Sequence, residues 1–146
     1  MSYVREPAVA YGKNKFTEEE YPEMERTSDI KHEFYKGEIF AMSGAEARHN
    51  IISIKLIGAL LEQPHGKPCR PYGSDMRIHI PENTLYSYPD ISIICGDIIP
   101  SDTDEDTTTQ PMVIIEILSA STKSYDQGHK FKFYREVPAL RILYFG

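Results

Sequence analysis

Two stretches decide how this chain folds: Tyr88-Pro89-Asp90-Ile91-Ser92-Ile93-Ile94-Cys95 and Pro111-Met112-Val113-Ile114-Ile115-Glu116-Ile117-Leu118. Both are short, apolar and β-branched, as expected of strands near the centre of a sheet. Each also carries one acid where an acid is costly. Glu116 interrupts an otherwise unbroken apolar run, and Asp90 opens its strand directly after a proline. An ionised carboxylate in such surroundings must be paired or bind a cation. Two of them on neighbouring strands repel unless a cation lies between them, which favours a shared site. The competing explanations are an Asp90 that faces solvent at a strand end and a Glu116 paired with a buried arginine.

Outward from these strands the periodicity changes. Tyr72 to Ile80 alternates, with Met76, Ile78 and Ile80 on one face and Asp75, Arg77 and His79 on the other, which predicts a strand with one polar face. From about 45 to 63 the period is helical, with Ile52, Leu56, Ala59 and Leu60 on one stripe and Ile54, Ile57 and Leu61 widening it. Lys31 to Tyr35 and Glu38 to Met42 flank Lys36-Gly37 as a β-hairpin. Thr17 to Glu20 is a capping box for a short helix that Pro22 then limits or kinks. Gly96 to Gln110 reads as a polar loop. A helix is expected from Asp126 to about Glu136, stopped by Pro138, and a last strand from Leu140 to Phe145. The expected fold class is α/β (α+β). A central mixed β-sheet, with adjacent strands near 72–80, 88–95 and 111–118, is flanked by helices near 45–63 and 126–136 and preceded by the N-terminal β-hairpin.

The 146 residues suit one domain, and 40% apolar with 26% charged residues suits a globular protein. Cys69 and Cys95 are too few for a disulfide framework; Cys95 reads as a buried thiol, and no zinc-ligand spacing appears. Met1 to Ala10 lacks a secretory pattern, and no apolar run approaches the ~18 residues of a membrane span, so cytoplasm is the default compartment. The net charge of −6 counts against tight, metal-free binding to nucleic acid. It counts less against a site whose carboxylates are neutralised by metal.

Pro89-Asp90 followed by Glu116 supplies the PD…(D/E) half of a nuclease motif. The usual lysine two residues after the second acid is missing, because Leu118 stands there. Lys130, four residues after Asp126 on the next predicted helix, is the candidate replacement; its competing explanation is an exposed i,i+4 ion pair with Asp126.

Thr17-Glu18-Glu19-Glu20-Tyr21, Lys31 through Ile39, Met42-Ser43-Gly44, Arg48-His49-Asn50 and Ser74-Asp75-Met76-Arg77 follow one pattern. It continues through Tyr88-Pro89-Asp90-Ile91, Ile115 through Ser119, Ser121-Thr122 and Tyr125-Asp126…Lys130…Tyr134. The whole resembles the Uma-two family of bacterial restriction-endonuclease-like proteins, within the PD-(D/E)XK nuclease superfamily, from about Thr17 onward. The resemblance implies a restriction-endonuclease-like core and a divalent metal site, Mg²⁺ or Mn²⁺. It carries over Asp90 and Glu116 as metal ligands, Lys130 as the migrated lysine and Glu33 as an additional acid able to reach a metal. His49 and Asp75 fall at positions that border the site. The competing explanations are a solvent-facing hairpin residue for Glu33 and a turn or strand-edge residue for Asp75; without the resemblance His49 reads as a satisfied core histidine. Family members usually continue through further strands, so a single domain over 1–146 is expected to be C-terminally shortened.

The implied activity is Mg²⁺-dependent hydrolysis of DNA phosphodiester bonds by a homodimeric endonuclease. The competing reading is an inactive nuclease-like scaffold that binds DNA or a protein partner, favoured by the acidic charge, the missing lysine and the short C-terminus. A carboxylate-pair glycosidase is a third; the absence of Trp argues against it, although ten Tyr leave a stacking surface available.

Overall fold

A computed structural model describes residues 4–5, 15–42, 47–62, 68–101, 104–109, 111–118, 131–136 and 140–145. The described strands form two sheets rather than the one central sheet expected from the sequence. The smaller runs in the spatial order β11 (Arg141–Phe145), β10 (Val113–Ile117), β7 (Ile91–Cys95), β4 (Cys69–Tyr72). The two apolar stretches are therefore the interior strands of this sheet. They pair antiparallel, with Val113 opposite Ile93, Ile114 opposite Ser92 and Ile115 opposite Ile91. On its other side β10 pairs parallel with β11.

The larger sheet has seven strands. In spatial order they are β1 (Val4–Arg5), β3 (Glu38–Ala41), β2 (His32–Tyr35), β6 (Leu85–Ser87), β5 (Arg77–Ile80), β9 (Asp104–Thr108) and β8 (Pro100–Ser101). β2 and β3 are the expected hairpin. Lys36 and Gly37 both take positive φ, 48° and 87°, as the favoured two-residue hairpin turn requires.

Three expectations need correction here. The alternating run from Tyr72 to Ile80 is two strands in different sheets: a turn at Gly73–Met76, closed by the Met76 amide on the Gly73 carbonyl (3.1 Å), carries the chain across. Of its polar face, Arg77 and His79 are buried among partners, whereas Asp75 is exposed in the turn. The polar loop from Gly96 to Gln110 contains β8 and β9, and β9 pairs parallel with β5. Pairing overrides the weak strand propensity of the sequence Asp-Glu-Asp-Thr-Thr, and such charge is a common guard on outer strands. Finally, Cys95 is not a free thiol: it is half-buried and bonded to Cys69, its partner across β4 and β7.

Helix α1 (Glu20–Thr27) begins on the capping box, with the Thr17 amide on Glu20 Oε1 (2.8 Å) and the Glu20 amide on Thr17 Oγ1 (3.1 Å). Pro22 neither ends nor limits it, because a first-turn residue has no intrahelical partner for its amide. Helix α2 (Ala47–Glu62) matches the predicted long helix. Helix α3 (Phe131–Tyr134) is the described part of the helix expected from Asp126. Lys130 lies outside the described residues.

Two cores hold these elements. Ile78, Ile80 and Leu85 of the larger sheet meet Ile114 of the smaller one and Tyr134 of α3. Tyr21 of α1 packs with Phe34, Ile39 and Tyr86 on the larger sheet. Burying each such side chain contributes roughly 1.5–3 kcal/mol, so the first cluster ties the strand of Glu116 firmly to its surroundings.

Candidate functional site

Continuing the β7–β10 register one step beyond Ile115 and Ile91 puts Glu116 opposite Asp90. There the two side chains take over from the ladder. The Asp90 amide donates to Glu116 Oε1 (2.9 Å), and the Ile117 amide donates to Asp90 Oδ2 (2.7 Å). Each carboxylate thus holds a main-chain group on or beside the other's residue, and the pair is fixed at the mouth of the two strands. Glu116 is 2% exposed; Asp90 is half-buried.

The remaining carboxylate oxygens have partners too. His49 Nε2, on the first turn of α2, stands 3.0 Å from Asp90 Oδ1, with both side chains under a fifth exposed. The Tyr134 hydroxyl donates to Glu116 Oε2 (3.2 Å) and lies 3.1 Å from Ser87 Oγ. Four elements therefore converge on one acidic pair. His49 Nδ1 is buried and has no hydrogen-bond partner among the described residues.

The structure brings together Asp90, Glu116 and His49. Glu33 is not a solvent-facing hairpin residue: it is 1% exposed, and its Oε2 accepts from the Tyr88 amide at 3.4 Å, two residues before Asp90. Asp75 stands apart from the pair in its recorded contacts. It is an exposed turn residue whose carboxylate meets Lys31 Nζ at 2.5 Å, and that lysine holds it below the usual carboxylate range.

A second polar cluster, with no local signal in the sequence, lies directly upstream. Glu25 of α1 accepts from the His32 amide (2.8 Å) and the Tyr88 hydroxyl (2.6 Å) through Oε2, and its Oε1 lies 2.9 Å from His32 Nδ1. The Tyr88 hydroxyl also accepts from Arg77 Nη1 (3.0 Å), whose Nε donates to Thr107 Oγ1 (2.8 Å). Tyr21 donates to the His32 carbonyl at 2.5 Å. Burial alone would raise the Glu25 carboxyl, but the bonds from His32 and Tyr88 outweigh it and hold the group below its ordinary value. Burial, reinforced by the neighbouring Glu25 carboxylate, pushes the phenols of Tyr21 and Tyr88 up. The Tyr88-Pro89-Asp90 segment is thus anchored at Tyr88 by α1 and by strands of the larger sheet.

A divalent ion fits the donor chemistry of the Asp90–Glu116 pair. Both offer hard carboxylate oxygens, and each oxygen that accepts one hydrogen bond keeps a second lone pair. Among the described residues the pair does not extend to three or more ligating side chains. Mg²⁺ is commonly held by one or two carboxylates with several retained waters.

The model of the Uma2 (Uma-two) family, described as "Putative restriction endonuclease", matches residues 18–141. Two proteins of Synechocystis, Uncharacterized protein slr1290 and Uncharacterized protein sll1609, are each 35% identical to the chain, over 128 and 125 residues. The matches cover 87% and 86% of this chain but 66% and 71% of the relatives, so the chain spans about two thirds of their length. With nearly the whole described core inside the matched region, including Asp90 and Glu116, the chain belongs to the Uma2 family.

Proposed function

We propose that this chain is a metal-dependent endonuclease domain that hydrolyses DNA phosphodiester bonds at the Asp90–Glu116 pair. The observation that carries the reading is the reciprocal lock of the two carboxylates against each other's strand. It holds each acid against the backbone of the other's segment through hydrogen bonds of 2.9 and 2.7 Å, so both are preorganised. Asp90 and Glu116, with the Ile117 carbonyl, would hold Mg²⁺ or Mn²⁺. The bound ion supplies a lowered pKa for attacking water and neutralisation of charge on the phosphate.

The chain's own residues do the rest. His49 fixes the plane of the Asp90 carboxylate through Oδ1, and Tyr134 fixes that of Glu116 through Oε2. Glu33, behind Tyr88, is the further acid of the site. Lys130 is assigned the role of orienting water and balancing charge on the phosphate.

The second reading, a nuclease-like scaffold that binds DNA or a protein, is favoured by one specific observation. Three oxygens of the pair already accept hydrogen bonds from protein donors, and the fourth, Asp90 Oδ1, lies 3.0 Å from His49 Nε2, so each has a protein partner without an ion. Thermal melting with Mg²⁺ and Mn²⁺, alongside plasmid cleavage, separates the two. A native-state ligand at 100 times its Kd adds about 2.7 kcal/mol, and Glu116→Gln should abolish both that gain and the cleavage. A wild-type protein indifferent to both metals, or cleavage unchanged in Glu116→Gln, would refute the assignment.

A further inference from the structure

Helix α2 is apolar on two sides, and only one is used. None of its residues is fully buried, although its interior is almost entirely Ile, Leu, Ala and Gly. The stripe of His49, Ile52, Leu56 and Leu60 is half-buried towards the body of the protein. On the opposite side Ala47, Ile51, Ile54, Gly58 and Leu61 are all exposed, at 53% for Ile51, 70% for Ile54 and 65% for Leu61. Their spacing is four, three, four, three. That is the seam of a helix that packs against another helix, not a random scatter of surface leucines.

The seam is complementary to itself. Two copies laid antiparallel about a two-fold axis midway between Ile54 and Gly58 place Gly58 of each against Ile54 of the other, and Ile51 against Leu61. A Cβ at Gly58 would meet nothing within 4 Å, so the helix surface there is open to receive the partner's isoleucine. The flank is complementary as well. Arg48 and Glu62 lie on the same side of the seam at opposite ends, so the antiparallel arrangement sets each Arg48 beside the other copy's Glu62, twice by symmetry. Lys55, at the centre of that flank, is long enough to turn its ammonium to solvent. A single surface patch that satisfies itself under a two-fold is the requirement for an isologous dimer.

We infer that the exposed stripe of α2 is a homodimer interface, in which two α2 helices pack antiparallel with Ile54 and Gly58 at the crossing. The inference does not depend on the chemistry assigned to Asp90 and Glu116.

Sedimentation equilibrium on the full chain tests it. Wild type should show a species of twice the 16.7 kDa chain mass. Ile54→Glu puts two like charges at the crossing and should weaken the dimer at least about tenfold. Because Ile54 is exposed, the far-UV spectrum and melting of the monomer should stay native. Arg48→Glu should weaken association, and adding Glu62→Arg in the same chain should restore it, which a merely sticky surface would not do. A wild-type chain that stays monomeric at about 100 µM overturns the inference. So does a dimer indifferent to Ile54→Glu, which would mean that copies meet on another face.

Discussion

Replacing Tyr88 with Phe removes one oxygen from the middle of the buried Glu25 cluster and leaves the packing intact. The hydroxyl makes two bonds to charged partners, donating to Glu25 Oε2 at 2.6 Å and accepting from Arg77 Nη1 at 3.0 Å. Glu25 keeps the His32 amide on the same oxygen, and Arg77 keeps Thr107 through Nε. Neither charge is left bare, so the loss should fall within the range for one charged hydrogen bond, about 1.5–3 kcal/mol, rather than that for an orphaned ion. For a chain of this size each kcal/mol lowers Tm by about 2–4 °C, so a fall of about 3–12 °C is expected. Urea titration followed by far-UV circular dichroism measures the difference directly, with Tyr35→Phe as a control at a half-buried tyrosine. A Tyr88→Phe loss below ~0.5 kcal/mol, the level of an ordinary surface change, would refute the claim that this hydroxyl ties the cluster together.

Two further outcomes concern the same cluster and the disulfide. Glu25 has a depressed folded value, so its contribution is complete above the ordinary carboxylate value of 4.5 and is lost as pH falls through the lower folded one. Urea midpoints from pH 7 down to pH 3 should therefore drop less steeply in Glu25→Gln than in wild type, and parallel curves would count against the assignment. Cys69 and Cys95 close a loop with a sequence separation of 26, for which chain entropy gives about 3.5 kcal/mol. Dithiothreitol should lower the urea midpoint of wild type but not of Cys69→Ala, and an unchanged wild-type midpoint would remove the bond from the stability of the fold.

What could be read from the sequence was what local pattern controls. Val113 to Ile117 and Ile91 to Cys95 are strands because nothing else accommodates such short β-branched runs, and Glu116 within the first and Asp90 just before the second are conspicuous because they conflict with their neighbours. The hairpin at Lys36-Gly37 and the capping box at Thr17 are equally local, and both appear with the expected geometry. The break at Gly73–Met76 escaped notice because the alternation continues through the turn into a second sheet. β9 escaped because its acidic sequence becomes a strand only when β5 supplies a partner. Nothing in the local pattern marks Glu25, whose buried partner Tyr88 lies 63 positions away. The approach of His49 to Asp90 likewise depends on where α2 lands, and Tyr134 had been part of a motif without any stated task.

The mutual hold of Asp90 and Glu116 also bears on how such a pair persists through evolution. Each carboxylate does the work of a missing ladder partner at the point where Pro89 interrupts the strand, so removing it leaves a buried amide without an acceptor. Selection for folding therefore acts on these two acids independently of any selection for catalysis. Substituting either acid therefore carries a folding cost of its own, whatever chemistry the pair performs.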